Sequence, residues 1–131
     1  MSIDTVGNFL TTIRNALMVS KRSVTVPFSG MKMGIADVLK EEGFIRDFET
    51  NDGERNQKFL IVHLKYVDGQ SVINKITRIS TPGRRHYESL RKIKPVIGGL
   101  GISVLSTNVG IVTDKKARKL SVGGEVICHV W

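Results

Sequence analysis

Cysteine occurs once in the 131-residue chain, at Cys128. One thiol excludes an internal disulfide and fits a reducing compartment. No apolar run approaches the roughly 18 residues that a membrane-spanning helix requires. The opening "MSIDTVGNFL" carries an acid early and lacks a basic stretch followed by an apolar one, so no signal peptide is expected. Low-complexity segments are absent, and no internal repeat shows at any useful period. With 40% hydrophobic and 24% charged residues, the composition is that of a soluble intracellular globular protein. Its length allows one compact domain or two small lobes.

Catalytic groupings are also missing. His63, His86 and His129 are far apart, and none has metal-ligand spacing. His63 and His129 fall inside expected strands, where a hydrogen-bonded structural histidine is the better reading. Cys128 is expected to face a core as an inert thiol. Glu41 and Glu42 are adjacent, so they do not share a helix face and form no acid/base pair. The glycine clusters "GGLG" (98–101) and "GG" (123–124) do not continue into Gly-Lys-Ser/Thr or open a long helix. A turn or a close backbone approach explains them better than a phosphate loop.

What the chain does have is positive charge, a net +8. Residues 1–67 carry nine Lys/Arg against eight Asp/Glu, whereas residues 68–131 carry eleven against four. An excess concentrated in one half points to a polyanionic partner, nucleic acid foremost, ahead of an acidic protein or an anionic membrane surface.

Hydrophobic periodicity divides the chain similarly. Val6, Phe9, Leu10, Ile13 and Leu17 form one face of a helix over 4–18, with Asp4 as its cap. "SVTVPF" alternates as a strand, and Pro27 places it at a sheet edge. Ser29 caps a second helix carrying Met31, Ile35, Val38 and Leu39, ended by Gly43. "FIRDFE" (44–49) and "KFLIVHLKY" (58–66) read as strands. Asp68-Gly69 marks the seam, giving an N-terminal α/β lobe at 1–67 and a basic, mostly β lobe at 68–131. In the second lobe, "SVINKITRIS" (71–80) reads as a strand and "TPGRR" (81–85) as a turn. A strand at 102–105 and another starting at Ile111 follow. Next comes a short helix capped by Thr113 or Asp114 and stopped by glycines, then a strand at 125–131 with Val126, Cys128 and Val130 on one face. The fold class is α+β: two helices on a three-stranded sheet, then a mostly β lobe with one short helix.

Two basic clusters lie in the second lobe. Lys75, Arg78, Arg84, Arg85, Arg91, Lys92 and Lys94 face a single acid, Glu88, with His86 and Tyr87 interleaved; Lys115, Lys116, Arg118 and Lys119 lie on the short helix. Long cations reach phosphates, and an aromatic can pack on a ribose or base. Between the clusters stands "LSTNVG" (105–110). Its residues are turn formers. They are also donors and acceptors small enough to enter the wide minor groove of A-form RNA, with Gly110 letting backbone come close. Cations would supply position, and Ser106, Thr107 and Asn108 selection.

The stretch "GLGISVLSTNVGIVTDKKARKLSVGGEVICHVW" resembles the C-terminal signature of the eighth protein of the small ribosomal subunit, in its bacterial or organellar form. "IRNA" (13–16), "VLKEEGFI" (38–45) and "SxPGxRxY" at Ser80, Pro82, Gly83, Arg85 and Tyr87 extend the likeness over essentially the whole chain. The resemblance implies a structural, non-catalytic protein without cofactor or small-molecule substrate. It would bind a bulged helical region in the central domain of small-subunit rRNA, directly and early in assembly. It also implies neighbouring small-subunit ribosomal proteins as partners, a monomer outside the ribosome, no membrane association, and a place on cytoplasmic or plastid-stromal ribosomes. By motif position, Ser106, Thr107 and Asn108 would read the RNA with Gly124 and Glu125 nearby, and Tyr87 would pack on it. Arg14, Asn15 and Lys32 would touch a separate RNA segment. Asn108 stands where the family commonly has a small hydroxyl, Val109 where lysine is frequent, and "DTVGN" (4–8) where it has "DPIAD". The alternative on charge alone is a general RNA-binding or chaperone module.

Overall fold

The computed structural model describes residues 5–88 and 100–131. The expected Asp4 cap, Arg91, Lys92, Lys94 and the first two glycines of "GGLG" lie outside them. The chain is α+β and forms two compact units, Asn8–Ile73 and one built chiefly of Asn74–Trp131.

The first unit contains most of α1 (Thr5–Met18), with β1 (Ser23–Pro27), α2 (Gly30–Glu41), β2 (Ile45–Asp52) and β3 (Lys58–Leu64). A small ribbon of β4 (Tyr66–Val67) and β5 (Gln70–Ser71) completes it. The antiparallel sheet runs β1-β3-β2, so Pro27 lies on an edge strand where its missing N–H costs no ladder bond. Phe9, Leu10, Ile13 and Ala16 of α1 are buried, as are Ile35, Ala36, Val38 and Leu39 of α2. The sheet adds Val24, Val26, Leu60, Val62 and Leu64, with Val24 opposite Val62 and Val26 opposite Leu60. Each such burial contributes about 1.5–3 kcal/mol for a large aliphatic side chain. Ser29 caps α2 by accepting from the Lys32 N–H at 3.1 Å. Gly43 ends it with a φ of +80°. Met31, expected among the apolar face of α2, is exposed because it lies at the margin of a buried stripe centred on Lys32, Ile35, Ala36 and Leu39.

The second unit is organised by β10 (Gly124–Val130). One edge of β10 pairs with β8 (Ile102–Thr107), which continues to β9 (Gly110–Thr113). Its other edge pairs first with β6 (Ile76–Arg78) and then with β7 (Tyr87–Glu88). The expected single strand over 71–80 is therefore two pieces, the end of β5 and β6, separated by residues 72–75. Their apolar spacing follows no period of two. Val126, Ile127 and Cys128 are all buried, against the expected alternation, because a bulge at Ile127 shifts the β8–β10 register. The displaced Ile127 carbonyl accepts from the Ile79 and Ser80 N–H groups and from Arg78 Nη1.

Helix α3 (Asp114–Leu120) starts at Thr113, whose hydroxyl accepts from the Lys116 N–H. It ends at Ser121 in the left-handed region, φ 57°, rather than at Gly123 and Gly124. Ala117 packs it on Leu105, Val112 and Val126, which lie in register across three strands. Gly124 acts elsewhere. A Cβ there would collide with the Ser106 carbonyl oxygen and crowd the Thr107 methyl. Glycine lets β10 come close to β8 at this point. Gly124→Ala is therefore expected to lower unfolding free energy by ~1–3 kcal/mol, the usual cost of overpacking against backbone. Urea unfolding checks this, and an unchanged midpoint would mean that the two strands separate without cost.

Candidate nucleic-acid interface

Strand pairing sets the geometry of the site. Tyr87 lies opposite Glu125, Glu125 opposite Ser106, and Ser106 opposite Ile111. The four residues form one row across β7, β10, β8 and β9. Directly paired residues in antiparallel strands point to the same face, with Cβ atoms about 4.5–5.5 Å apart. The next row, Leu105, Val112 and Val126, is the buried one that carries α3. By the two-residue period, Tyr87, Glu125, Ser106 and Ile111 therefore project from the opposite face. Tyr87 is 70% exposed.

The hairpin tip explains the "LSTNVG" stretch. Ser106 and Thr107 are strand residues, and only Asn108 and Val109 make the loop. Thr107 Oγ1 donates to the Gly110 carbonyl at 2.9 Å and accepts from the Val109 N–H at 3.2 Å. Its hydroxyl is thus committed to the turn. Gly110 takes the positive φ, +111°, that lets the chain re-enter β9. Among the described residues, the Ser106 hydroxyl and the exposed Asn108 amide have no hydrogen-bond partner. Two of the three polar side chains present unused donors and acceptors, and the third shapes their support.

A basic excursion between β6 and β7 borders the row. The Ile79 N–H bonds to β10 at Ile127, and the chain returns where the His86 carbonyl accepts from the Val126 N–H at 2.8 Å. The fully buried Ser80 ties the base: its Oγ accepts from the His86 N–H at 2.8 Å and donates to the His86 carbonyl at 3.3 Å. Pro82 and Gly83 occupy a turn closed by two backbone bonds between Thr81 and Arg84. This arrangement brings Arg85 back beside β10. Its Nη1 donates to Glu125 Oε1 at 2.9 Å, with Oε2 at 3.4 Å. The Glu125 side chain is 15% exposed, so the carboxylate enters the row already paired. In "SxPGxRxY", then, Ser80 anchors, Pro82 and Gly83 turn the chain, Arg85 makes the ion pair and Tyr87 presents the ring.

The other predicted residues lie outside the row. Arg84 is exposed near the turn of the excursion. Lys115 and Lys116 are exposed on α3, which packs on the face opposite the row, so the structure does not bring them onto that face. Arg14 and Asn15 are exposed on α1, off its buried stripe. Lys32 is only 7% exposed, and its ammonium donates to the Pro27 carbonyl at 2.9 Å. Sequence reasoning did not find the Arg85–Glu125 pair or the role of Ser80. The one available signal was the co-occurrence of Ser80 and Arg85 with Tyr87 in a single motif.

Buried polar groups stiffen this unit. Where β9 ends at Thr113, the Ser103 N–H of β8 is taken by the buried Asp114 carboxylate at 3.2 Å. The other Asp114 oxygen accepts from Arg118 Nη2 at 3.0 Å. Burial pushes the Cys128 thiol up to about 12, partly offset by nearby Arg78, so the group is inert at neutral pH. Desolvation lowers the His129 pKa, opposed by the Asp114 charge. Between that lowered value and the ordinary 6.5, the unfolded chain binds a proton that the folded chain refuses. Stability contributed by neutral His129 is therefore complete above about pH 6.5 and lost as pH falls below it. Between pH 7.5 and 5.5, the urea midpoint is expected to fall further in the wild type than in His129→Gln. Equal losses in both would show that His129 does not carry the effect.

Among the described residues, no group of three or more His, Cys, Asp or Glu could hold a metal ion. No helix there is long and apolar enough to cross a membrane. Fold and site define an α+β protein whose candidate surface is a polar sheet row bordered by a basic excursion. The chain belongs to the ribosomal protein S8 family, whose model, described as Ribosomal protein S8, matches residues 4–131. It is 46% identical over 130 residues to the small ribosomal subunit protein uS8c of Phaeodactylum tricornutum, covering 98% of each chain. It is 47% identical to uS8 of Thermosynechococcus vestitus, over 98% of this chain and 97% of that one. It is likewise 47% identical to uS8 of Lactobacillus helveticus, with the same coverage.

Proposed function

We propose that the chain is a structural constituent of the small ribosomal subunit that binds the central domain of small-subunit rRNA directly and early, stabilising its fold for assembly. The observation that carries this reading is the in-register row of Tyr87, Glu125 and Ser106 beside Arg85, with Asn108 at the adjoining hairpin tip. Full-length similarity to small-subunit proteins supports the setting. Neighbouring small-subunit proteins are the further partners, and the free protein is a monomer. Its place is on the ribosome, in the cytoplasm or the plastid stroma.

The chemistry follows from the groups present. Tyr87 offers a ring to a ribose or an unstacked base. Ser106 and Asn108 can each donate and accept, which suits 2′-hydroxyls and base edges. The Glu125 carboxylate accepts from base amino groups or 2′-hydroxyls, which a cation cannot do. A bare carboxylate ~4 Å from a phosphate would cost about 1 kcal/mol in water and more in a drier contact. Arg85 offsets that repulsion while fixing the carboxylate. Arg84, Lys115 and Lys116 supply phosphate attraction, with the exposed Arg14 and Asn15 assigned to a separate RNA segment; the expected contact of Lys32 falls away, because its ammonium is buried on the Pro27 carbonyl. Bound RNA would be held in one geometry, favouring later assembly steps.

Asn108→Ala and Glu125→Ala are each expected to weaken binding to a central-domain RNA helix by ~1–3 kcal/mol. Equilibrium binding measures this, and unchanged affinity in both variants would sink the assignment of the row. Lys115→Ala or Lys116→Ala is expected to weaken binding and flatten its salt dependence. An unaltered slope in both moves the phosphate contacts elsewhere.

A further inference from the structure

The first unit carries almost no net charge in its sequence, yet the fold gathers cations at one end of its sheet. A cleft of about 450 Å³ is lined by Arg22, Arg46, His63, Leu64, Lys65 and Tyr66. Three local devices build it. The Leu64 N–H donates to the Arg22 carbonyl at 2.8 Å, joining the segment before β1 to the end of β3. The Tyr66 hydroxyl donates to the Lys21 carbonyl at 2.6 Å and pins the same segment from the other side. The β2–β3 register shifts between Ile45 and Asp47, making Arg46 the extra residue of a bulge, a device that re-aims a side chain.

Among the described residues, no carboxylate belongs to the lining of the cleft. Of the acids beside Arg46 on β2, Asp47 pairs with Lys40 at 2.9 Å, while Glu49 pairs with the cleft's own His63, at Nε2, 3.3 Å away, and occupies that imidazole. Lys65 Nζ also lies near Gly43, at the C-terminal turn of α2, so part of its charge faces that helix end. Arg22 and Arg46 are exposed and have no ion-pair or hydrogen-bonding side-chain partner among the described residues. Two guanidinium groups and an ammonium around one concave surface match a chain of phosphodiesters better than an apolar ligand. Tyr66 adds an aromatic beside them, as backbone-tracking sites for single-stranded nucleic acid do.

We infer that this cleft is a second binding site, for the sugar–phosphate backbone of RNA, contained within the first unit. This second site deepens the proposed rRNA-binding function and rests on it. It adds Arg22, Arg46 and Lys65 to a protein whose readable charge lies in the other half.

The test uses the full chain, uniformly labelled with ¹⁵N, titrated separately with a mixed-sequence single-stranded RNA oligonucleotide and with inorganic phosphate. The amide signals of Leu64 and Tyr66 report on the cleft. Affinity for a central-domain helix with an internal bulge is measured in parallel. In the wild type, the oligonucleotide is expected to shift both amides at concentrations where phosphate does not. Arg22→Ser/Arg46→Ser should weaken that response about fivefold or more and lower the salt slope by roughly 0.7 per lost contact. Arg22→Lys/Arg46→Lys should restore much of it, and Lys58→Ser, at the other end of β3, should change nothing. Unchanged cleft shifts in the Ser/Ser variant whose fold is intact by its spectrum would overturn the site, as would an equal loss in Lys58→Ser. Saturation by phosphate at the same concentration as RNA would make it a small-anion site and refute the RNA assignment. The bulged-helix affinity should be nearly unchanged in the Ser/Ser variant. Failure of the wild type to prefer that helix would count against the proposed function, independently of the cleft.

Discussion

The candidate interface depends on how β10 pairs. One strand fixes the register of three others, and Gly124 permits the close approach to Ser106 that brings β8 into line. From that constraint the row follows: Tyr87, Glu125 and Ser106 have no independent reason to be neighbours, being far apart in sequence. The buried row beneath them, Leu105, Val112 and Val126, holds α3 and supplies the hydrophobic stabilisation. A slip of one residue would exchange the two rows, hiding the polar groups and exposing the apolar ones, so the core itself guards the register. Asp114 secures the far side, giving the Ser103 N–H a partner where β9 stops.

The surface so built combines rigidity with modest charge. Glu125 is held by Arg85, Thr107 is committed to its own turn, and the excursion carrying Arg84 and Arg85 is tied at its base by the buried Ser80. Ser106 and Asn108 keep open hydrogen-bonding capacity among the described residues. Preordered polar groups lose little conformational entropy on binding, which is how a small surface gains selectivity. Charge on α3 acts from the other face of the sheet and carries no geometric information about the row. Position and selection are thus supplied by different elements.

Much of this was legible from the residues. The apolar spacing of Phe9, Leu10 and Ile13, the Ser29 cap, the Gly43 stop and the Pro27 edge each have a local cause, and each stands in the fold as read. Where local rules gave way, a non-local contact was responsible. The Ile127 bulge broke the alternation of the last strand, Ser121 ended α3 before the glycines could, and residues 72–75 separated β5 from β6. The site was legible as a set of residues, through composition and resemblance, but not as an arrangement. Arg85 and Glu125 are 40 residues apart, and only strand pairing reveals that one neutralises the other. The cleft of the first unit was invisible for a similar reason: Arg22, Arg46 and Lys65 are balanced by acids in sequence, and only the fold brings the three to one concave surface.

Whether the row reads RNA is decided most sharply by a salt titration of binding to a short central-domain RNA helix containing its internal bulge, beside a fully paired control helix. Tight binding to the bulged RNA is expected, with a preference over the control that persists as salt rises, because the row reads shape and hydrogen bonds rather than charge. Equal affinity for both RNAs, collapsing together with salt, would contradict this and leave a basic module whose row of Tyr87, Glu125 and Ser106 reads nothing.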